Sequence, residues 1–169
     1  LLRNARKRCY LALAYFVPPP WLIEELVAAA GRGVDVRVMT AGDTDLPHAR
    51  EGGRHVYGDL LKGGVRLFEL QEPRLHAKNA TVDGRFAQVG TFDFNAFTRR
   101  YSLEVTVVVE SVAIARGLEE TFAANSVRSK EIDLDEWEQR GSVRRLVQKA
   151  CHRLFFLPGG AANGTHRPS

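Results

Sequence analysis

Asp83-Gly84 stands between two extended runs, residues 75–82 and 85–89. Both residue types tolerate positive φ, and the tight turn they make twists the way paired strands do. The stretch therefore predicts an antiparallel hairpin. The chain before it follows another rule. Residues 9–16 are an apolar run of strand length, stopped by Pro18-Pro19-Pro20. Residues 21–30 carry Leu22, Leu26 and Ala30 at helical spacing ahead of Gly31 and Gly33. Val34, Val36 and Val38 alternate as a strand, and residues 43–47 read as a loop into a second helix. In that helix Val56 and Leu60, with Tyr57 and Leu61, recur at i, i+4; Gly63-Gly64 closes it, and residues 65–70 form a third strand. Strands joined through helices run parallel, whereas the hairpin is antiparallel. The predicted class is α/β, a mixed β-sheet with helices on both faces.

After the hairpin, residues 102–109 read as a strand, and Ser111 can cap a helix whose Ile114, Leu118 and Phe122 share one face. With 169 residues there is room for one domain. We expect residues 1–130 to form it, residues 131–158 to be a separate amphipathic segment, and residues 159–169 to be a small, polar, disordered tail. No run approaches the roughly 20 apolar residues of a membrane-spanning helix. Cys9 and Cys151 are too few for a disulfide scaffold or a zinc site, and a reducing compartment is the default. A net charge of +4 favours an anionic partner: phosphate, nucleic acid or acidic lipid. The chain opens Leu1-Leu2-Arg3 without a Met, and residues 1–8 read as entering mid-helix, as in a piece of a longer protein.

His76 and Lys78 stand two apart in an extended run, so both point to one face. The histidine can attack or donate a proton near neutral pH, and the lysine is a cation able to hold a phosphate oxygen. Gly90 permits close backbone approach, and Thr91 adds a hydroxyl donor. Glu104 could accept from a ring nitrogen of the histidine and fix its tautomer. Asp83 serves equally well as a turn residue or as part of the chemistry. Cys9 reads as core. His48, His55, His152 and His166 have no metal-ligand spacing and read as surface residues. Tyr15, Phe16 and Trp21 fit either an acyl-chain pocket or core packing.

His76-x-Lys78, four residues, Asp83, six residues, then Gly90-Thr91 resembles the HKD motif of the phospholipase D superfamily, with every spacing matched. The resemblance extends through Ala14-Tyr15-Phe16-Val17-Pro18, Gly33-Val34-Asp35-Val36-Arg37-Val38, Leu61-Lys62-Gly63-Gly64-Val65-Arg66 and Ser102-Leu103-Glu104-Val105. Over about residues 3–125 the chain looks like the carboxy-terminal half of bacterial cardiolipin synthases. That resemblance implies a phosphatidyltransferase working through a phosphohistidine, with no metal and no cofactor. It makes His76 the catalytic histidine, nucleophile or general acid, Lys78 the phosphate ligand, Asp83 the motif aspartate and Glu104 the acid supporting the histidine. Lys78, Gly90, Thr91, Asp93 and Asn95 become the phosphate-binding group. The order Asp93-Phe94-Asn95 departs from the family, which usually has Asn where Asp93 stands. An amide there donates to phosphate; a carboxylate repels it.

The implied partners are a phosphatidylglycerol-like anionic phospholipid, a membrane surface, and a second phospholipase D-like half, in cis or as a homodimer. The implied place is the cytoplasmic face of the cytoplasmic membrane, held peripherally. Val143, Val147, Ala150 and Leu154 line one face of a C-terminal helix, with Arg145, Lys149, His152 and Arg153 on another. Such a helix suits an anionic bilayer or packs on its own domain. Two rival functions remain: a homodimeric phosphodiesterase acting on nucleic acid, which the Tyr-Phe-Val-Pro element and the tail disfavour, and a non-catalytic half that binds anionic lipid.

Overall fold

The computed structural model describes residues 1–94 and 103–156. Strands β1 (Arg8–Leu13), β2 (Asp35–Ala41) and β3 (Arg66–Leu70) are parallel. They are linked by α1 (Pro20–Gly31) and then by α2 (Pro47–Arg54) and α3 (Tyr57–Lys62), two helices where one was expected. Strands β4 (Lys78–Val82), β5 (Phe86–Gly90) and β6 (Thr106–Glu110) form an antiparallel meander. It joins the parallel strands by pairing β4 antiparallel with β1. Helix α4 (Val112–Ser126) leads to β7 (Ser129–Glu131), which pairs with β3. Short α5 (Leu134–Glu138) and α6 (Ser142–Leu154) follow. The sheet has seven strands in the order β6-β5-β4-β1-β2-β3-β7. The predicted mixed sheet with helices on both faces is the observed architecture.

Strand alternation divides the core in two. Cys9, Leu11, Leu13, Val36, Val38 and Leu67 face α1 and α3, packing with Leu22, Leu26, Tyr57 and Leu60. Ala12, Met39, Ala41, Phe68 and Leu70 face the other way, against Phe122 of α4. The last proline of the triplet is also the first residue of α1, where its missing N–H costs nothing. Asp83 and Gly84 have φ of 56° and 65°, the left-handed pair that the hairpin turn requires.

Four local expectations are corrected. Residues 1–8 hold only a short 3-10 turn, Leu2–Asn4, before β1. Helix α4 buries Ala115 and Phe122, while Ile114 is exposed, because the helix carries two apolar stripes and the sheet selects the one containing alanine. His55 and His152 are half-buried against each other, with ring centroids 4.8 Å apart, instead of lying on the surface. Beyond residue 130 the chain continues the main core: Ile132 and Trp137 belong to the α1-side cluster, and α6 packs on α2.

Candidate active site

Antiparallel pairing sets the location of the site. Leu13, at the carboxyl end of β1, pairs with Lys78, the first residue of β4. β5 runs back beside β4, with Val89 opposite Asn79, and so returns Gly90 and Thr91 to the same end. The carboxyl ends of the parallel strands, where ligands bind in open α/β sheets, thus gather residues from three separate stretches of sequence.

Lys78 is at the centre. Its Nζ stands 3.4 Å from Nδ1 and 3.3 Å from Nε2 of His76, and it donates to the His76 carbonyl at 3.1 Å. The Asp93 carboxylate is 3.6 Å away on another side. The Tyr15 ring centroid lies 5.3 Å from the same Nζ, and this ring meets the exposed His76 imidazole edge-on at 6.3 Å. The Tyr15 hydroxyl donates to Asp45 at 2.8 Å, and burial together with that carboxylate pushes its pKa up to about 12. Tyr15 is a site residue that sequence reasoning set aside as pocket lining or core; its place just past the end of β1 was the available signal.

Asp93 is buried, and its Oδ1 accepts the Tyr15 backbone N–H at 3.1 Å. Burial raises its pKa above the ordinary aspartate value, opposed by the Tyr15 N–H, Lys78 and His76. Phe94 follows with φ of 56°, an uncommon conformation for a bulky residue, turning the chain directly after Asp93. Asn95 lies outside the described residues.

The other expected members are placed differently. Asp83 sits at the opposite end of β4, about 16 Å along the strand from Lys78 at roughly 3.3 Å per residue. There its carboxylate accepts the backbone N–H groups of Arg6, Lys7 and Arg8 at 2.7–3.2 Å, which lower its pKa against the effect of burial. Glu104 accepts a hydrogen bond from the Thr91 hydroxyl. Its expected bond to His76 is not made among the described residues, where the polar neighbour of that ring is Lys78. The Thr91 oxygen also accepts the Val105 N–H at 3.1 Å, and the Thr91 N–H donates to the Val105 carbonyl at 2.9 Å. Thr91 therefore clamps the start of β6. Gly90 permits this: a Cβ there would collide with the Val105 carbonyl and the Thr106 backbone.

A buried network anchors the neighbouring α2. Arg54 donates to both Glu69 oxygens, at 2.8 and 2.6 Å, and the Tyr57 hydroxyl adds a bond at 3.2 Å. A separate apolar cavity of about 400 Å³ opens among Leu2, Trp21, Leu22, Phe86 and Phe94. Phe16 is core.

Residues 1–125 match the family profile described as the cardiolipin synthase, PLD-like domain. The chain belongs to this family. It is 32% identical over 155 residues to cardiolipin synthase A of Proteus mirabilis, covering 92% of this chain and 32% of that protein. The corresponding enzyme name in Serratia proteamaculans goes with 29% identity over the same shares. The chain thus spans about a third of the length of these relatives. Its fold is similar to that of Nuc, a phospholipase D family member from Salmonella typhimurium, with a TM-score of 0.67, 20% identity, and coverage of 78% of this chain and 85% of that one. A phosphatidylserine synthase of Haemophilus influenzae gives a TM-score of 0.64 at 14% identity, over 89% of this chain and 40% of that one.

Proposed function

We propose that this chain is one catalytic half of a cardiolipin synthase-type phosphatidyltransferase. It works peripherally at the cytoplasmic face of the cytoplasmic membrane on a phosphatidylglycerol-like lipid. No helix among the described residues is long and apolar enough to cross a membrane. The observation that carries the reading is the contact of Lys78 with His76 at the carboxyl end of the sheet, within a motif whose family is cardiolipin synthase-like.

In this reading a histidine attacks phosphorus, and the phosphatidyl group becomes bonded to the imidazole. The glycerol oxygen leaves with a proton from a second histidine, which then takes the proton of the acceptor hydroxyl as that oxygen attacks and releases the first histidine. His76 takes one of these two roles. Lys78 neutralises the phosphoryl oxygens, and its short tether to His76 holds cation and imidazole on one face. Thr91 and Asn95 supply donors, with Thr91 exchanging Glu104 for the phosphate. Asp83 aligns β4 with β1 and thereby sets where Lys78 stands.

Only one His-x-Lys occurs in the sequence, so in-line exchange needs a second half. The β6 edge supports this: Val107 and Val108 of β6, with Val89 of the adjoining β5, are about half exposed where the described sheet ends, beside Gly90 and Thr91. An apolar strand edge is a template for another chain.

The test is to incubate the chain, alone and co-expressed with a candidate second half, with labelled phosphatidylglycerol vesicles and separately with single-stranded DNA. Cardiolipin and glycerol from the completed assembly, with no product from the isolated monomer, is the expected result. Product from a monomer overturns the half-site argument. Cleavage of DNA by a dimer, with lipid untouched, replaces the reading with a nuclease.

A further inference from the structure

Helix α6 is mounted with its polar side inward. Gln148 is fully buried; it donates to Glu51 at 3.2 Å and accepts from Arg140 at 3.1 Å. His152 Nδ1 lies 3.1 Å from the Gly52 carbonyl, and Gly52 of α2 brings the helices close enough that a Cβ there would touch the Cys151 and His152 backbone at 3.4 Å. The apolar stripe faces solvent: Val143 is 78% exposed, Leu146 68%, Val147 47% and Leu154 48%, with Ala150 among them. A helix docked on its own domain by the hydrophobic effect alone would bury that stripe. The outward stripe needs a different apolar medium.

Charge selects the medium. Arg145, Lys149 and Arg153 recur every four residues and form a basic stripe on one side of the apolar one. From Gln139 to the end the sequence has no acidic residue. Of the five acidic residues just before α6, Glu131 is paired with Arg66, Glu136 with Lys130 and Glu138 with Lys62, and Asp133 caps α5, which leaves Asp135 by itself as a weak counterpart for the basic stripe of a second copy.

Position links the helix to the site. α2 follows the carboxyl end of β2, the end that carries His76 and Lys78. A Cβ on Gly53 of α2 would collide with the Phe16 carbonyl, one residue after Tyr15. The other side of α2 holds α6. One helix therefore separates α6 from the strand end where the chemistry is placed.

We propose that α6 seats the protein on an anionic lipid surface through Val143, Leu146, Val147, Ala150 and Leu154, with Lys149 and Arg153 set against the headgroups, while Arg145 ties the helix back to the Glu138 and Arg140 carbonyls. The inference rests on the phospholipid reading for the nature of the surface. It adds which face meets the bilayer, and that the catalytic end of the sheet is the end held near it.

Sedimentation of the full chain with phosphatidylcholine vesicles, with and without phosphatidylglycerol, tests this. Native protein partitions onto the anionic vesicles and is released by salt. Leu146→Asp with Val147→Asp, or Lys149→Glu with Arg153→Glu, lowers the partition roughly tenfold or more. Hydrogen exchange of the native chain needs no variant: amides of α6 gain protection with anionic vesicles. Native partition by a double variant with unchanged circular dichroism overturns the proposal, as does exchange in α6 that ignores vesicles. So does light scattering that shows a dimer which Leu146→Asp with Val147→Asp dissociates. If vesicles bind as stated but the assembly completed by a second half makes no cardiolipin, the catalytic reading fails and this one stands. If cardiolipin is made from detergent-dispersed lipid while partition ignores α6, the reverse holds.

Discussion

Asp83 and Asp93 lie ten residues apart in one motif and have opposite environments. Asp83 is at the hairpin end of β4, where three backbone N–H groups stabilise its charge and lower its pKa. Asp93 is at the other end, buried beside Lys78, where burial outweighs its partners and raises its pKa. One carboxylate fastens strands and the other shapes the charge around Lys78. Spacing along a strand is distance, so residues that recur together in a motif need not meet.

His76→Ala applies the largest perturbation at the Asp93 end. In the assembly that completes the site it should lower turnover at least about 10³-fold and leave the melting temperature unchanged. Retained phosphoenzyme labelling removes His76 as nucleophile and leaves it as general acid. Asp83→Ala should do the opposite: urea denaturation should show a loss of about 2 kcal/mol, the scale of hydrogen bonds to a charged group. Turnover per folded molecule should stay near native; a collapse of turnover at native stability would put Asp83 back in the chemistry.

Asp93→Asn should be milder, lowering KM several-fold at neutral pH, since an amide donates where the carboxylate repels. As the pH falls toward the raised pKa of Asp93, the native residue takes up a proton and the repulsion fades, so the two KM values should converge. A ratio independent of pH would falsify this account. The smallest effect concerns α6. Burial lowers the pKa of His55 and His152, so the folded state favours their neutral forms. Below about pH 6.5 the unfolded chain binds more protons, and stability is lost as the pH falls through that value toward the folded pKa values. Protection factors in α6, taken relative to the slower intrinsic exchange at lower pH, should fall there, and His152→Gln should blunt the change.

The sheet was legible because its signals are local. Asp83-Gly84, the proline triplet and the valine alternation each fix a turn, a boundary or a face within a few residues. His76 and Lys78 shared a face because they stand two apart. Glu104 was assigned to His76, yet it bonds Thr91, because whether a carboxylate meets a hydroxyl or a ring depends on the register of β5 on β6. Tyr15 and Asp93 meet across 78 residues through a backbone N–H that no side-chain pattern encodes. The apolar stripe of α6 was visible, but its outward direction follows from the buried Gln148 and the bare surface of Gly52, two residues with no hydrophobic signal.

The pairing of β1 with β4 also orders events in time. β1, β2 and β3 join through crossovers, and β4 with β5 closes across a two-residue turn, so each part assembles from nearby sequence. The seam between them pairs Cys9 with Val82 and Leu13 with Lys78, closing loops of 73 and 65 residues. Closing a loop of that length is slower than closing a hairpin. Tyr15 belongs to the first part, Lys78 and Asp93 to the second. On a ribosome the parallel layer can be complete before the meander has emerged, and the cluster of Tyr15, Lys78 and Asp93 comes into existence only when the seam closes.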